Sequence, residues 1–427
     1  MTETPTAQLS LAALVDGYSR RVCEAVLEQH PDSSVSSPLG IWLLLAACST
    51  AATGQDLKQL EEVLGCSASD AALLLAEFLE APPQALHSAI ALWVRGSDHT
   101  SRLVDWSAGL PRQVERGPIP TQAVADAWAD RNTMGLIKKF PIEITERTRL
   151  VLASALATKV TWQQAFEVVP ADEHFRPSSP WAGRVRGALL DRTPVLPVRL
   201  AKTDAAGVVA VHFALANEEL AVLSVAADGS LDRHLVLEAA YELARRCRED
   251  ALEEATCSLF DLPVGAGHSW EITEEEVPAQ RAGERSELID YTVLPAWSLS
   301  GDLDLKRSNR FGTSPALSAL LGLIGPHPAG DKTDAMQSAI ASYTPTGFEA
   351  AAVTSFAIAA AALHRQPQER GTRRRARILF DHPYASVALA GATADFKRAR
   401  AGHAEMFGLP LFSVWVAEPG EPEVVGG

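Results

Sequence analysis

The side chains able to do chemistry are few and scattered. Eleven histidines are spread through the chain with no HExxH pair, and no phosphate loop, GxSxG elbow or dinucleotide fingerprint is present. Asp302-Leu303-Asp304 has the opening of a calcium loop, but the glycine and terminal glutamate that would close it are missing, so it reads as a strand edge. His382, before Pro383, has no metal ligand or nucleophile near it in sequence. Five cysteines (Cys23, Cys48, Cys66, Cys247 and Cys257) lack CxxC spacing, which predicts free thiols rather than a zinc site or a disulfide framework. No metal and no cofactor is expected. Two segments stand out instead. Residues 347–363, GFEAAAVTSFAIAAAAL, are rich in alanine. Directly after them, Arg365, Arg370, Arg373, Arg374, Arg375 and Arg377 place six arginines within 13 residues.

Neither segment is catalytic by residue type. The tract carries Glu349, Thr354 and Ser355 and is too weakly apolar for a membrane span. Alanine favours a helix. Period two fits as well, with Phe348, Ala350, Ala352, Thr354, Phe356 and Ile358 on one side and the charge on the other. Helix and strand both stay open on pattern alone. The arginine run predicts an exposed, solvated loop, a first site for trypsin-like cleavage and a dock for an acidic partner along Arg365–Arg377.

The surrounding elements are those of a large soluble α+β chain. It has 427 residues, 47% hydrophobic and 21% charged, with a net charge of −15 that argues against nucleic-acid binding. No segment predicts a membrane span, and the N-terminus lacks the pattern of a signal peptide, so a cytoplasmic location is expected, with an extracellular one as the alternative. Helical periodicity runs over 8–29. Ser36-Ser37-Pro38 caps the apolar run 39–52. A further helix runs from Gly54 to its stop at Gly65. Helices are also expected over 125–140 and 231–256. Strands are expected over 87–96, 149–162 and 293–305, that over 149–162 buried on both faces. Trp93, Trp162 and Trp297 read as core. One domain over 10–419 is expected, followed by a disordered tail, 420–427.

Several segments, in order, resemble the serpin family. SSPLGIWLLLAACSTAATGQDLKQLEEVLG (36–65) is similar to its first helix pair. NTMGLIKKFP (132–141) and TRLVLASALATKVTWQQAF (148–166) resemble its turn and central strand, ending in Trp162. LPAW (294–297) and DLDL (302–305) resemble a further strand. TGFEAAAVTSF (346–356) resembles the hinge, FDHPYASVAL (380–389) the signature and GLPLFSVWVAEP (408–419) the closing strand. The resemblance implies a serpin fold with three β-sheets, eight or nine helices and an exposed reactive-centre loop. It implies a suicide-substrate inhibitor of serine endopeptidases, not an enzyme. The hinge would be Gly347, Phe348, Glu349, Ala350, Ala351 and Ala352. The scissile bond would lie near Ala361–Ala362, with Leu363 as a further candidate, suiting an elastase-like or subtilisin-like protease. Ser37, Ser154, Trp162 and Gln337 would occupy the family's shutter and breach. The chain departs from the family pattern at the hinge. Pro345 lacks an N–H, and Phe348 puts a ring where a small residue is usual, which predicts overpacking and slow insertion. Gly40, Ser154 and Gln337 also replace the usual residues. The second class of function, a non-inhibitory serpin-fold binding protein, follows from those departures.

Overall fold

The computed structural model describes residues 10–96, 100–193, 198–324, 334–348, 369–391 and 406–420. Eight α-helices lie among them: α1 (Leu11–Gln29), α2 (Pro38–Ser49), α3 (Gly54–Leu64), α4 (Ala68–Glu80), α5 (Ser101–Gly109), α6 (Gln122–Asn132), α7 (Arg233–Glu249) and α8 (Thr313–Ile324). The first strands are β1 (Ser34–Ser36), β2 (Leu86–Val94), β3 (Glu115–Pro118), β4 (Leu150–Thr158), β5 (Val160–Thr161), β6 (Glu167–Pro170) and β7 (Gly187–Asp191). Next come β8 (Leu200–Thr203), β9 (Gly207–Leu215), β10 (Leu220–Ala226), β11 (Gly265–Ala266), β12 (Trp270–Ala279) and β13 (Arg285–Pro295). The last are β14 (Trp297–Asp304), β15 (Met336–Tyr343), β16 (Gly347–Phe348), β17 (Glu369–Leu379), β18 (Tyr384–Ala390) and β19 (Leu409–Val416).

A six-stranded antiparallel sheet, β1-β19-β18-β10-β9-β8, forms the centre. Its strands β10, β18 and β19 are buried at every residue. That is why they read as unbroken apolar runs rather than as alternating strands. One face packs on α7, and the other joins the main core, which draws residues from Leu11 to Val416. A second six-stranded sheet runs β11-β12-β17-β13-β7-β6.

The remaining strands form two ladders, β3-β2-β4 and β14-β15-β16-β5. Strand β4 runs on through Lys159 into β5, so one stretch of chain belongs to both. These ladders stand where one large sheet was expected. Residues of β4 alternate: Val151, Ala153, Ala155 and Ala157 are buried, while Leu152, Ser154 and Leu156 are half-buried. The expectation of burial on both faces is thus corrected. Small alanines on the covered face let α6 approach, with Trp128 packing edge-on against Trp93 at 5.3 Å and both touching Phe140. The helix expected over 125–140 stops earlier, at Asn132, where Thr133 caps it and its hydroxyl accepts from Ile137 N at 2.9 Å.

The clearest correction concerns the arginines. Arg370, Arg373, Arg374, Arg375 and Arg377 lie in strand β17, hydrogen-bonded on both sides, and not in a loop. Their charge is met within the protein by Glu271, Glu274, Glu275, Glu276 and Asp290. A segment held in this way does not present its backbone to trypsin. Arg365 lies outside the described residues, as do residues 421–427 of the expected tail.

Candidate functional site: a divided sheet and its hinge

Strand β15 ends at Tyr343, and the chain turns through Thr344–Thr346 and returns as β16. Phe348 pairs with Tyr343 on one side and with Val160 on the other, and Gly347 pairs with Thr161. The two-residue strand therefore bridges β15 to the end of the stretch that began as β4. The turn is tied down by its own backbone. Thr344 N donates to Gly347 O at 2.9 Å, Trp162 N to Thr346 O at 3.0 Å and Phe166 N to Pro345 O at 2.9 Å. Trp162 Nε1 adds a bond to Thr344 O at 2.9 Å. Pro345 sits in the bend, where no N–H is required and its carbonyl is used, so the missing donor costs nothing here.

Phe348 is 2% exposed. Its ring lies 6.4 Å from Trp162 and 6.1 Å from Trp297, centroid to centroid. Tyr343 completes the cluster, 4.9 Å from Trp162 and 5.9 Å from Trp297. The ring expected to overpack the sheet thus has a built aromatic seat. Sequence reasoning missed the partners of this seat, Tyr343 and Phe166. The only local signal was the aromatics flanking the turn in SYTPTGF and following Trp162 in TWQQAF.

Below this bridge the two ladders separate. Among the described residues β4 pairs only with β2, and β15 pairs with β14 and, at its end, β16. Two adjoining cavities, of about 110 and 40 Å³, lie between the facing edges, lined from β4 by Leu152 and from β15 by Met336. The floor is the start of α2. Ser37 caps that helix, its hydroxyl accepting from Gly40 N at 3.3 Å and donating to Leu411 O at 2.7 Å. Gln337 of β15 pairs with the Ser37 backbone twice, accepting from its N–H at 2.9 Å and donating to its carbonyl at 2.8 Å. Ser154 of β4 donates to Gly40 O at 3.3 Å. Both edges therefore rest on one helical turn. A Cβ at residue 40 would fall 3.0 Å from Leu156 Cδ1 and 3.3 Å from Gln337 Nε2, so glycine lets the edges close onto the helix. The structure brings Ser37, Ser154 and Gln337 together here and places Trp162 at the joined end with Gly347 and Phe348. Glu349, Ala350, Ala351, Ala352, Ala361, Ala362 and Leu363 lie outside the described residues.

Behind the hinge, fully buried His212 touches Phe166 at 5.7 Å, and its Nε2 lies 3.1 Å from Asp191 Oδ2. Burial works to raise the Asp191 carboxyl, but the hydrogen bond and charge of His212 and the charge of Arg199 outweigh it, and the carboxyl lies below its usual range. Burial pushes His212 down, so the pair stands as anion and neutral imidazole. His382 is a partly buried histidine, its Nε2 2.8 Å from Ala227 O, and Asp302 is a strand residue paired with Ser338. All five cysteines are free, and burial pushes the Cys48 thiol up to about 12. No group of three His, Cys, Asp or Glu side chains suited to a metal occurs among the described residues, and no helix there is long and apolar enough to cross a membrane.

A main sheet divided along its length, joined at one end by a seated hinge and floored by a serine-capped helix, defines a distinctive α+β fold. A family model described as serpin (serine protease inhibitor) matches residues 17–181. The native state of tengpin, a thermophilic serpin, superposes with a TM-score of 0.63 at 15% identity, covering 98% of this chain and 96% of its own. Human glycosylated kallistatin gives 0.60 at 14% identity, covering 98% and 100%. Human thyroxine-binding globulin, complexed with thyroxine, gives 0.60 at 13% identity, covering 96% and 99%. No curated protein matches by sequence. The chain has the serpin fold over nearly its whole length, and its residues 17–181 match the serpin family model.

Proposed function

We propose that residues 10–419 act as one serpin-type inhibitor of serine endopeptidases, consumed as a suicide substrate. The protease serine attacks the carbonyl of Ala361, or of its neighbours Ala362 and Leu363. The peptide bond breaks, the new amine leaves with the proton, and an ester joins the two proteins. The tract upstream of the cut then enters the gap between β4 and β15, starting from Gly347 and Phe348, with Glu349, Ala350, Ala351 and Ala352 following. Small side chains at these positions can slide between close neighbours. Each new ladder hydrogen bond contributes roughly 0.5–1.5 kcal/mol net, so about eight residues supply on the order of 10 kcal/mol, enough to make entry effectively irreversible. In this reading Ser37, Ser154 and Gln337 guard the floor and Trp162 the entrance. The chain itself supplies no catalytic group, and a residue as small as alanine at the cut suits elastase-like or subtilisin-like pockets.

The observation that carries this reading is the position of β16, already a strand between β15 and β5 and in line with the unbridged gap. One feature favours the second reading, a serpin-fold binding protein with the tract as a surface element: the aromatic seat of Phe348 holds the hinge at its first step. Incubation with an elastase-like protease separates the two. An inhibitor gives a complex that survives boiling in detergent and a cleaved form of raised melting temperature. Cleavage near Ala361 with neither outcome excludes inhibition and leaves the binding protein.

A further inference from the structure

Strand β17 is threaded between two strands that are neighbours in sequence. Residues 280–284 alone join β12 to β13, yet these two do not pair with each other. Instead β17 lies between them, antiparallel to β12 over Glu369–Ile378 and parallel to β13 over Thr372–Leu379. The connection crosses β17 closely. Gly283 N donates to Arg370 O at 3.0 Å, and Thr372 N donates to Glu284 O at 2.8 Å. A Cβ at residue 371 would fall 2.5 Å from Glu284 O and 2.8 Å from Ala279 Cβ, so only glycine permits the crossing. An edge strand leaves a sheet by breaking one ladder, whereas β17 must break two.

The side chains of its first half bury little. Within Glu369–Arg375 only Gly371 is buried, and apolar anchoring begins at Ala376, Ile378 and Leu379. Charge stands in that place. Arg373, Arg374 and Arg377 lie directly across the ladder from Glu275, Glu274 and Glu271. Their ion pairs measure 3.8, 2.8 and 2.5 Å. Arg370 reaches Glu276 at 2.6 Å, and Arg375 reaches Asp290 on the β13 side at 2.7 Å. Arg374 also donates to Leu259 O and Leu262 O, both at 2.8 Å, and its guanidinium lies 4.7 Å from the Phe260 ring centre. The acids come from both flanking strands, so the arginines tie three strands together.

We propose that this ladder is an electrostatic clasp, which fixes Glu369–Arg375 to the sheet by charge where apolar burial is absent, and whose hold is set by ionic strength. Five residues, 364–368, separate this strand from the tract, so the clasp anchors the chain just downstream of it.

Hydrogen exchange of the intact chain, read by mass spectrometry, tests the clasp without any protease. In about 1 M NaCl the screening length falls to about 3 Å. Exchange over 369–375 is then expected to accelerate on the order of tenfold, since several partly exposed pairs weaken together, while 384–390 stays unchanged. The variant Glu274→Gln with Glu275→Gln should show the same local acceleration at low salt, with an unchanged melting temperature. Exchange indifferent to both salt and variant overturns the clasp.

Discussion

Phe348→Thr is the most informative substitution at the hinge. The ring is 2% exposed and packed between Trp162 and Trp297. Truncating a buried phenylalanine costs about 3–5 kcal/mol, and a threonine hydroxyl left without a partner adds roughly 1–3 kcal/mol. What remains to hold the hinge is a handful of hydrogen bonds, chiefly those to Pro345 O and Thr346 O, each worth about 1 kcal/mol net. The loss exceeds the remainder, so the hinge leaves its seat. The cost to the whole molecule is capped at the free energy of docking the hinge, because the released chain needs no ring in the core. Exchange over residues 336–348 should therefore rise about a hundredfold, the factor for ~3 kcal/mol, while the melting temperature falls by only a few degrees. The fluorescence of Trp162 and Trp297 should shift with it. If insertion proceeds from the docked hinge, the ratio of trapped complex to cleaved product falls as well, the reverse of what a bulky, obstructive ring predicts. Unchanged local exchange, together with a melting temperature that drops as for any large core truncation, would refute the seat as a separable hinge lock.

Other perturbations act on the floor and on buried charge. Gly40→Ala places a methyl 3.0 Å from Leu156 Cδ1 and 3.4 Å from Ser154 Oγ, and should cost about 1–3 kcal/mol in urea unfolding; an unchanged midpoint would show that the edges do not rest on α2. Gln337→Leu leaves the Ser37 N–H without its acceptor and the Ser37 carbonyl with only Ile41 N at 3.4 Å, and should also cost roughly 1–3 kcal/mol, whereas a neutral result would mean that water replaces the amide. His212, His268 and His382 are all held below the usual histidine range, burial being the first cause. The folded state then binds fewer protons than the unfolded one, so their contribution is full above about pH 6.5 and is lost as pH falls through the depressed values. Urea midpoints at about pH 7.5 and 5.5 should differ in that direction, and a flat profile would contradict the assignment.

What the sequence discloses depends on how far a residue's partner lies along the chain. Ser37-Pro38 marks the start of α2 because a cap is satisfied within a few residues, and Gly65 ends α3 for the same reason. The alternation in β4 is local too, although the face that α6 covers is not. The arginines fail this test. Six cations in 13 residues read as a solvated loop unless Thr273–Glu276, about a hundred residues upstream, is known to lie alongside. The seat of Phe348 is equally distant in origin, being assembled from Trp162, Trp297 and Tyr343. Ser154 and Gln337 carry no signal of their own. They entered as candidates through resemblance to the family, and only Gly40, which admits both to one helical turn, shows why they meet.

The two ends of the tract are held by different forces. Upstream, Phe348 is seated by aromatic burial, which salt strengthens slightly and cooling weakens. Downstream, β17 is fixed by ion pairs that salt screens and that gain relative to apolar contacts on heating, as the cost of desolvating charge declines. A protein whose hinge and downstream anchor were both apolar would loosen at both ends under one condition. Here added salt loosens the downstream anchor and not the seat, so a change of ionic strength alone does not free both ends. Cleavage differs in kind from any solvent change. It leaves the seat and the strand ladder of β17 as they are and removes the covalent link between them, and the upstream piece can then move while the downstream anchor stays in place.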